Sequence, residues 1–251
     1  MRFRVVIPAR FDSSRLPGKV LQPIDGRPML HWVCERARAS GAAQVVVATD
    51  DTRIQAAALQ AGVECVMTSR AHLSGTDRIA ETVAKLQWAP EEIIVNLQGD
   101  EPLMPPALIG QVARLLQDHA DADIATLAAP VISAAEFLDP NAVKVVLAHD
   151  GRALLFSRAP IPWDRDGAIG AAPGPDSHRQ ALRHIGLYAY RVRSLLRISH
   201  LPPAPLELRE KLEQLRALAH GMQIRVAIAA ERPGVDVNTP ADLERIRALL
   251  E

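Results

Sequence analysis

The chain has 251 residues, and 48% of them are hydrophobic, which is enough for the core of one large α/β domain, with or without a smaller lobe. Its 29 basic and 29 acidic residues cancel, which argues against a nucleic-acid-binding or membrane-surface protein, because such proteins carry a basic excess or patch. No apolar run is long enough to span a membrane, and because a strand pattern starts at residue 3 we expect no signal peptide. Cys34 and Cys65 lack the spacing of a metal or redox site. We therefore expect a cytoplasmic protein with reduced thiols.

The first predicted element is a short buried strand over residues 3–7, and it leads into a polar loop that carries Arg10, Arg15 and Lys19. A Pro17-Gly18 turn bends this loop back toward the end of the strand. Ligands of open α/β sheets lie beyond the carboxyl ends of the strands, and cations there offset phosphate charge. The glycine spacing fits neither a Walker loop nor a dinucleotide fingerprint. The pattern indicates a polyphosphate site, and the plain alternative is a solvated basic loop.

The rest of the chain alternates between strand and helix patterns. Strands are predicted over residues 45–48, 63–67, 93–97, 124–131, 143–147, 153–156, 183–190 and 224–229, and helices around residues 28–40, 54–59, 75–86, 108–116, 208–219 and 243–249. The regular alternation of the first half predicts parallel strands, and the sparse helices after residue 124 predict antiparallel strands mixed with them. Residues 159–181, rich in proline and glycine, are a long loop, which in a compact domain is usually functional or disordered.

Two carboxylates follow the most strand-like run of the chain, residues 93–97. Asp100 and Glu101 stand just beyond it, after Gly99, which lets a ligand approach the backbone. A carboxylate beyond a central parallel strand is a common metal ligand, and the alternative is a turn with a helix-capping Asp. The acidic pair favours the metal site.

Two other segments also have a functional and a structural interpretation. Residues 74–78 read Ser-Gly-Thr-Asp-Arg, which either caps a helix or offers its free N–H groups to a ligand. On the strand 183–190, alternation places His184 and Tyr188 on one face, where an ordinary half-buried histidine is the alternative to a ligand contact.

Eight motifs follow one another along the chain. They are residues 7–10 (IPAR), 15–19 (RLPGK), 74–78 (SGTDR), 96–102 (NLQGDEP), 140–144 (PNAVK), 156–158 (FSR), 162–166 (PWDRD) and 183–186 (RHIG). In this order they closely resemble the 3-deoxy-manno-octulosonate (KDO) cytidylyltransferase family. The resemblance runs from end to end of the chain and is far more specific than any single motif.

The resemblance implies an α/β, Rossmann-like nucleotide-diphospho-sugar transferase fold, with a mixed, mostly parallel central sheet, helices on both faces and a smaller antiparallel lobe. Residues 1–251 would form one domain. Within it, residues 1–130 and 221–251 would make the nucleotide-binding core, and residues 131–220 the sugar-binding and dimerisation lobe. The implied reaction transfers CMP from CTP to the anomeric hydroxyl of KDO, releasing pyrophosphate, for lipopolysaccharide biosynthesis. Mg²⁺ is the implied cofactor and a homodimer the implied assembly.

The resemblance also implies roles for individual residues. The nucleotide-binding residues would be Ala9, Arg10, Arg15, Lys19, Ser74, Gly75, Thr76 and Arg78. The sugar would be surrounded by Gln98, Arg158, Arg165, His184, Tyr188, Glu210 and Gln214. Arg10, Lys19 and Asp100 would be catalytic through positioning and charge neutralisation, since phosphoryl transfer of this kind needs no covalent nucleophile.

One stretch departs from the family pattern. The family usually reads Gly-Val-Asp-Thr here, with that Asp on the metal, whereas residues 234–240 read Gly-Val-Asp-Val-Asn-Thr-Pro. Counted from Pro233-Gly234, the ligand position is Asp236; counted back from the last helix, it is Asn238. The expected metal ligands are Asp100 and Asp236, because Mg²⁺ favours charged oxygen, with Asn238 as the alternative to Asp236.

Other functions stay open on the sequence. CMP-sialic acid synthetases share the chemistry but usually carry Gly-Ser-Lys in the first loop, so that interpretation ranks lower. A cytidylyltransferase for 8-amino-KDO would show the same motifs. A non-catalytic nucleotide sensor on the same fold is disfavoured because Arg10, Lys19 and Asp100 are retained.

Overall fold

The computed structural model describes residues 1–12, 16–72, 74–167 and 172–250. The strands are β1 (Phe3–Pro8), β2 (Pro23–Ile24), β3 (Arg27–Pro28), β4 (Gln44–Thr49), β5 (Glu64–Met67), β6 (Ile93–Asn96), β7 (Ile124–Pro130), β8 (Lys144–Leu147), β9 (Ala153–Ser157), β10 (Leu182–Arg191) and β11 (Ile224–Ile228). The α-helices are α1 (Met29–Ala39), α2 (Thr52–Gln60), α3 (Gly75–Lys85), α4 (Pro106–Asp118), α5 (Ala134–Leu138), α6 (Val192–His200), α7 (Pro205–Glu210), α8 (Gln214–Ala219) and α9 (Pro240–Leu250), and a 3-10 turn covers Lys19–Leu21.

Nine strands form one sheet in the order β11-β7-β10-β6-β1-β4-β5, and β8 and β9 join it through β10. The pairs β6–β1, β1–β4, β4–β5 and β7–β11 are parallel, whereas β10 runs antiparallel to β6 and β7. The helix α1 makes the crossover from β1 to β4, α2 the one from β4 to β5, and α3 leads from β5 back to β6 beside β1. The predicted α/β class with a mixed sheet is confirmed. The predicted division into a nucleotide core and a sugar lobe stays a prediction.

Helices cover both faces of the sheet, as predicted. Val5 and Ile7 pack into one core cluster with side chains of α1 and α4, whereas Val6 packs into a second cluster with side chains of α3 and α6. This alternation follows from the two-residue period of a strand that is buried on both sides. Among the described helices, none is both long and apolar enough to cross a membrane.

The segment after β10 differs from the sequence prediction. The helix α6 follows β10 directly and was not predicted, and α5 was missed as well. The single long helix predicted over residues 208–219 is wrong: α7 ends at Glu210, the next residue, Lys211, has a left-handed φ of +54°, and α8 starts at Gln214. Leu208 is 54% exposed, while Leu212 and Leu215 are buried. The break lets residues 213 and 214 face the edge of the sheet.

A small hairpin ties the C-terminal helix to the start of the chain. The strands β2 and β3 pair around Asp25 and Gly26, which both have positive φ, as a type I′ turn requires. Ile24 of this hairpin packs in one buried cluster with Val237 and with Leu243 of α9. Residues 236–238 are thereby held beside the loop that follows β1.

Candidate active site

A cavity of about 310 Å³ opens at the carboxyl ends of β1 and β6. Its lining comes from the loop after β1, the start of α3, the turn after β6 and the segment before α9. The lining residues are Pro8, Ala9, Arg10, Lys19, Val20, His72, Ser74, Gly75, Arg78, Gln98, Gly99, Asp100 and Asn238. The structure thus brings most of the predicted nucleotide-binding residues and the predicted metal ligand Asp100 into one site. Arg15 lies outside the described residues.

Lys19, in the loop after β1, lies in the wall of this cavity. Gly18 precedes it with a φ of +64°, and a Cβ there would lie 2.9 Å from the Phe11 ring, so the turn requires glycine. The Lys19 Nζ lies 2.5 Å from Asp100 Oδ2 and 3.4 Å from Asn238 Oδ1. Its side chain is only 14% exposed, so this charge is aimed into the cavity rather than solvated.

The turn after β6 packs tightly against the loop after β1. A Cβ on Gly99 would lie 3.2 Å from the Pro8 carbonyl oxygen and 3.1 Å from Val20, so a larger residue would push the two loops apart. Close contact at Gly99 is what places Asp100 opposite Lys19. Burial and the carboxylates of Asp100 and Asp236 raise the pKa of the neighbouring Glu101.

The two candidates for the second metal ligand lie at different depths. Asn238 lines the cavity, whereas Asp236 is exposed and accepts a 2.5 Å hydrogen bond from Asn238 Nδ2. The backbone N–H of Val237, between them, donates to the Asp100 carbonyl at 2.9 Å. Among the described residues, no group of three Asp, Glu, His or Cys side chains has a metal-binding arrangement. The metal assignment stays a prediction.

The start of α3 forms another wall of the cavity. Ser74 caps the helix by accepting from the Asp77 N–H at 3.1 Å. Arg78 is 4% exposed and pairs with Asp50 at 3.0 Å, so its guanidinium is already neutralised by the protein. His72, which sequence reasoning missed, also lines the cavity and contacts Glu81 at 2.5 Å. Only the tertiary packing of the preceding loop on α3 reveals it.

A second, smaller cavity of about 160 Å³ adjoins the first and shares Gly75 and Gln98 with it. Its other lining residues are Thr76, Asn96, Ile124, Tyr188, Tyr190, Ile198, Glu213 and Gln214. Gln98, Tyr188 and Gln214 were predicted sugar-binding residues, whereas Asn96, Tyr190 and Glu213 were missed. Burial raises the pKa of Glu213, and hydrogen bonds to Thr76 and Ser74 oppose that shift. Glu213 therefore links this cavity to the start of α3.

The comparisons with known proteins identify the family. A family model described as Cytidylyltransferase matches residues 4–224. A 3-deoxy-manno-octulosonate cytidylyltransferase from Halorhodospira halophila is 54% identical over 249 residues, which cover 99% of this chain and 97% of that protein. The chain belongs to the 3-deoxy-manno-octulosonate cytidylyltransferase family. A relative of the same name from Tolumonas auensis is 53% identical and covers 100% of this chain and 97% of its own.

The comparison with solved structures agrees with this family assignment. A CMP:2-keto-3-deoxy-manno-octonic acid synthetase complexed with CTP aligns with a TM-score of 0.89 and 43% identity, covering 100% of this chain and 98% of that one. A cytidylyltransferase from Leptospira borgpetersenii aligns with a TM-score of 0.63 at 18% identity, which shows a shared fold alone.

The cytidylyltransferase places His184 beside the second cavity but leaves it uncharged. Burial, reinforced by the nearby charge of Arg183, lowers the pKa of His184 to about 3. Its Nε2 lies 3.0 Å from the Thr126 hydroxyl oxygen, whose own proton faces two backbone carbonyls, so His184 is the donor in this contact. Its ring lies 5.2 Å from that of Tyr188, which keeps the predicted pairing of these two residues on one face.

Besides His184, three predicted sugar-binding residues line neither cavity. Arg158 Nε donates to the Glu210 carbonyl at 2.7 Å, and the Glu210 carboxylate accepts from the Ser157 hydroxyl at 2.6 Å. These two residues therefore hold the end of β9 against α7. Arg165 lines a separate cavity of about 400 Å³ together with Trp163. Their contacts with a sugar stay predictions.

Proposed function

We propose that this cytidylyltransferase transfers CMP from CTP to the anomeric hydroxyl of 3-deoxy-D-manno-octulosonate and releases pyrophosphate, in lipopolysaccharide biosynthesis. The observation that carries the proposal is the meeting of Lys19 and Asp100, 2.5 Å apart, in a cavity bordered by the start of α3. Family membership over residues 4–224 gives the reaction class. The chain is also 54% identical to a relative named for this octulosonate.

The first cavity suits a nucleoside triphosphate. Arg10 and Lys19 supply positive charge on one side, and the N-terminus of α3 presents N–H groups on the other. The Lys19 ammonium pairs with Asp100, which holds it at the wall of the cavity where it could bind a phosphate oxygen. Arg15 would extend this clamp from the part of the loop outside the described residues.

The residues beside Lys19 fit a hard divalent cation such as Mg²⁺. The Asp100 carboxylate and the Asn238 carbonyl oxygen converge on one ammonium group, and oxygen donors of these types are the ones that Mg²⁺ takes. Asp100 would hold the cation together with Asn238 or Asp236. When bound, the cation would supply charge neutralisation for the phosphates.

The second cavity suits the acceptor sugar. It adjoins the first at Gly75 and Gln98, so an acceptor bound there lies next to the α-phosphate position. Its polar groups, on Asn96, Glu213 and Gln214, can bind sugar hydroxyls. Proximity and orientation are the main requirements, because the acceptor hydroxyl itself attacks phosphorus.

The test is a pyrophosphate-release assay with CTP and three acceptors in parallel: KDO, its 8-amino analogue and sialic acid. We expect turnover with KDO, no or slower turnover with its 8-amino analogue, and none with sialic acid. Fast turnover with the 8-amino sugar would change the substrate. Binding of CTP without turnover on any acceptor would favour a nucleotide sensor. The predicted homodimer is checked separately by light scattering.

A further inference from the structure

We propose that Asp236 acts through Asn238: its carboxylate orients the Asn238 amide so that the carbonyl oxygen faces the cation position beside Asp100. Asp236 is then a positioning residue, and Asn238 is the group that contacts the cation. This inference rests on the function proposed above, because the cation is the one that would accompany CTP.

Burial of Val237 and hydrogen bonds from the backbone hold the segment that carries Asp236 and Asn238 in place. Val237 is fully buried in the cluster with Ile24 and Leu243, and its N–H donates to the Asp100 carbonyl at 2.9 Å. Asp242, near the start of α9, accepts from the Asn238 N–H at 3.1 Å. The segment is therefore anchored on both sides of Asn238, directly beside the turn that carries Asp100.

The orientation of the Asn238 amide follows from its contacts with Asp236 and Lys19. An ionised carboxylate only accepts hydrogen bonds, so Asp236 can hold only the NH₂ end of the amide, and Nδ2 lies 2.5 Å from Asp236 Oδ2. The Oδ1 end then points into the cavity, where it lies 3.4 Å from the Lys19 ammonium. The same ammonium lies 2.5 Å from Asp100 Oδ2. These two oxygens therefore converge on one positive charge, that of the Lys19 ammonium.

The arrangement explains how an amide can stand where a carboxylate would be the stronger ligand. A neutral carbonyl attracts Mg²⁺ less than a carboxylate does. A hydrogen bond from the amide to a carboxylate fixes the ligand and polarises it, which increases the negative charge on the carbonyl oxygen. Asp236 therefore increases the negative charge on the Asn238 carbonyl oxygen without itself contacting the cation.

The test measures Mn²⁺ binding by water-proton relaxation, with CTP present and no acceptor sugar, so that no turnover occurs. We compare Asp236→Asn, Asn238→Ala, the double variant Asp236→Asn/Asn238→Ala and the exchange Asp236→Asn/Asn238→Asp. We expect Asp236→Asn to weaken Mn²⁺ binding roughly tenfold or more, the usual effect of removing a partner of a ligand. Asn238→Ala should weaken Mn²⁺ binding at least as much, and the double variant should weaken it no more than Asn238→Ala. The exchange should bind Mn²⁺ at least as tightly as the wild type, because it places a carboxylate at position 238.

Glu231→Gln is the matched control, because it removes an exposed carboxylate five residues before Asp236. It should leave Mn²⁺ binding unchanged. Additive losses in the double variant would overturn the proposal, since Asp236 would then bind the cation independently. An Asp236→Asn variant indistinguishable from Glu231→Gln would overturn it as well. Because the readout needs no sugar, failure of the KDO assay leaves this result interpretable.

Discussion

At the scale of single residues, the site depends on charges held in position by small residues. Gly18 lets the loop after β1 turn tightly against Phe11, and Gly99 lets the turn after β6 approach that loop so closely that Lys19 and Asp100 meet. Because each side chain is partly buried, their interaction is stronger than that of a surface ion pair. A phosphate that displaces Asp100 from Lys19 therefore has to compete with an existing contact.

We expect Lys19→Ala to lower kcat/KM for CTP by the equivalent of roughly 2–4 kcal/mol, the scale of one electrostatic contact to a reacting phosphate. Loss of the ammonium also leaves Asp100 without its partner, which adds repulsion toward the triphosphate. The measurement is steady-state pyrophosphate release, with Arg152→Ala as a control, since Arg152 pairs with Asp150 at the surface. Unchanged kinetics in a folded Lys19→Ala protein would exclude the phosphate role.

His184 gives a prediction for stability against pH. Burial lowers its pKa to about 3 in the folded protein, whereas an exposed histidine titrates near about 6.5. As pH falls below 6.5, the unfolded chain therefore takes up the proton first. The stability that the neutral histidine contributes is complete above that pH and is lost as pH falls toward 3, at up to about 1.4 kcal/mol per pH unit.

The measurement is the free energy of unfolding in urea between pH 7.5 and 4.5 for the wild type and His184→Gln. Glutamine keeps an N–H donor for Thr126 but cannot titrate. The stability advantage of the wild type should shrink as the pH falls. His149→Gln, at an exposed histidine, should keep the slope of the wild type. Parallel slopes for the wild type and His184→Gln would show that His184 takes up a proton normally.

At the scale of elements, the break between α7 and α8 decides which residues reach the second cavity. A continuous helix over 208–219 would carry residues 210, 211 and 214 along one polar stripe. The left-handed Lys211 instead ends α7, so Glu207 is buried against Arg216 while Glu213 and Gln214 line the cavity. The sugar side of the site thus depends on one backbone conformation.

Lys211→Gly should stabilise the protein by roughly 0.5–1 kcal/mol, because glycine adopts a positive φ without the steric cost that a Cβ imposes. Arg209→Gly, within α7, is the matched control and should destabilise it by a similar amount. Both are measured as shifts in the midpoint of urea unfolding. Destabilisation by both variants would mean that the Lys211 side chain contributes more than its backbone conformation costs.

At the scale of the whole molecule, the site is closed by segments far apart in sequence. The loop after β1, the turn after β6 and the segment before α9 meet at one edge of the sheet, and α9 packs back on the β2–β3 hairpin. The predicted sugar-binding residue Arg165 lies in a third cavity, which shares no lining residue with the other two. Its predicted contact with the acid sugar requires residues 159–167 to approach the second cavity when the sugar binds.

If Arg165 contacts the bound sugar, Arg165→Ala should raise KM for KDO, while the affinity for CTP measured by calorimetry stays at the wild-type value. Arg179→Ala is the control, because Arg179 lines the same third cavity but pairs with Asp176 at 2.9 Å. An equal loss of CTP affinity in Arg165→Ala would place the residue in the nucleotide site instead.

The sequence by itself determined the fold class, the family and most of the first cavity. Its signals are local: strand runs that end in polar loops, a Pro-Gly turn before Lys19 and a helix-capping segment at residues 74–78. Parallel strands bring such loop ends to one edge, so order along the chain predicts proximity in space.

Only the tertiary structure decided the rest, because it depends on contacts between distant residues and on one backbone angle. Periodicity alone cannot reveal that Lys211 adopts a positive φ, and so it missed Glu213. Nor does spacing show that Asn238 lies in the cavity with Asp236 behind it, since both alignments of residues 234–240 satisfy the motif. The packing of the segment before α9 puts Asn238 in the cavity lining and leaves Asp236 exposed, and packing of that kind is not encoded in any local pattern.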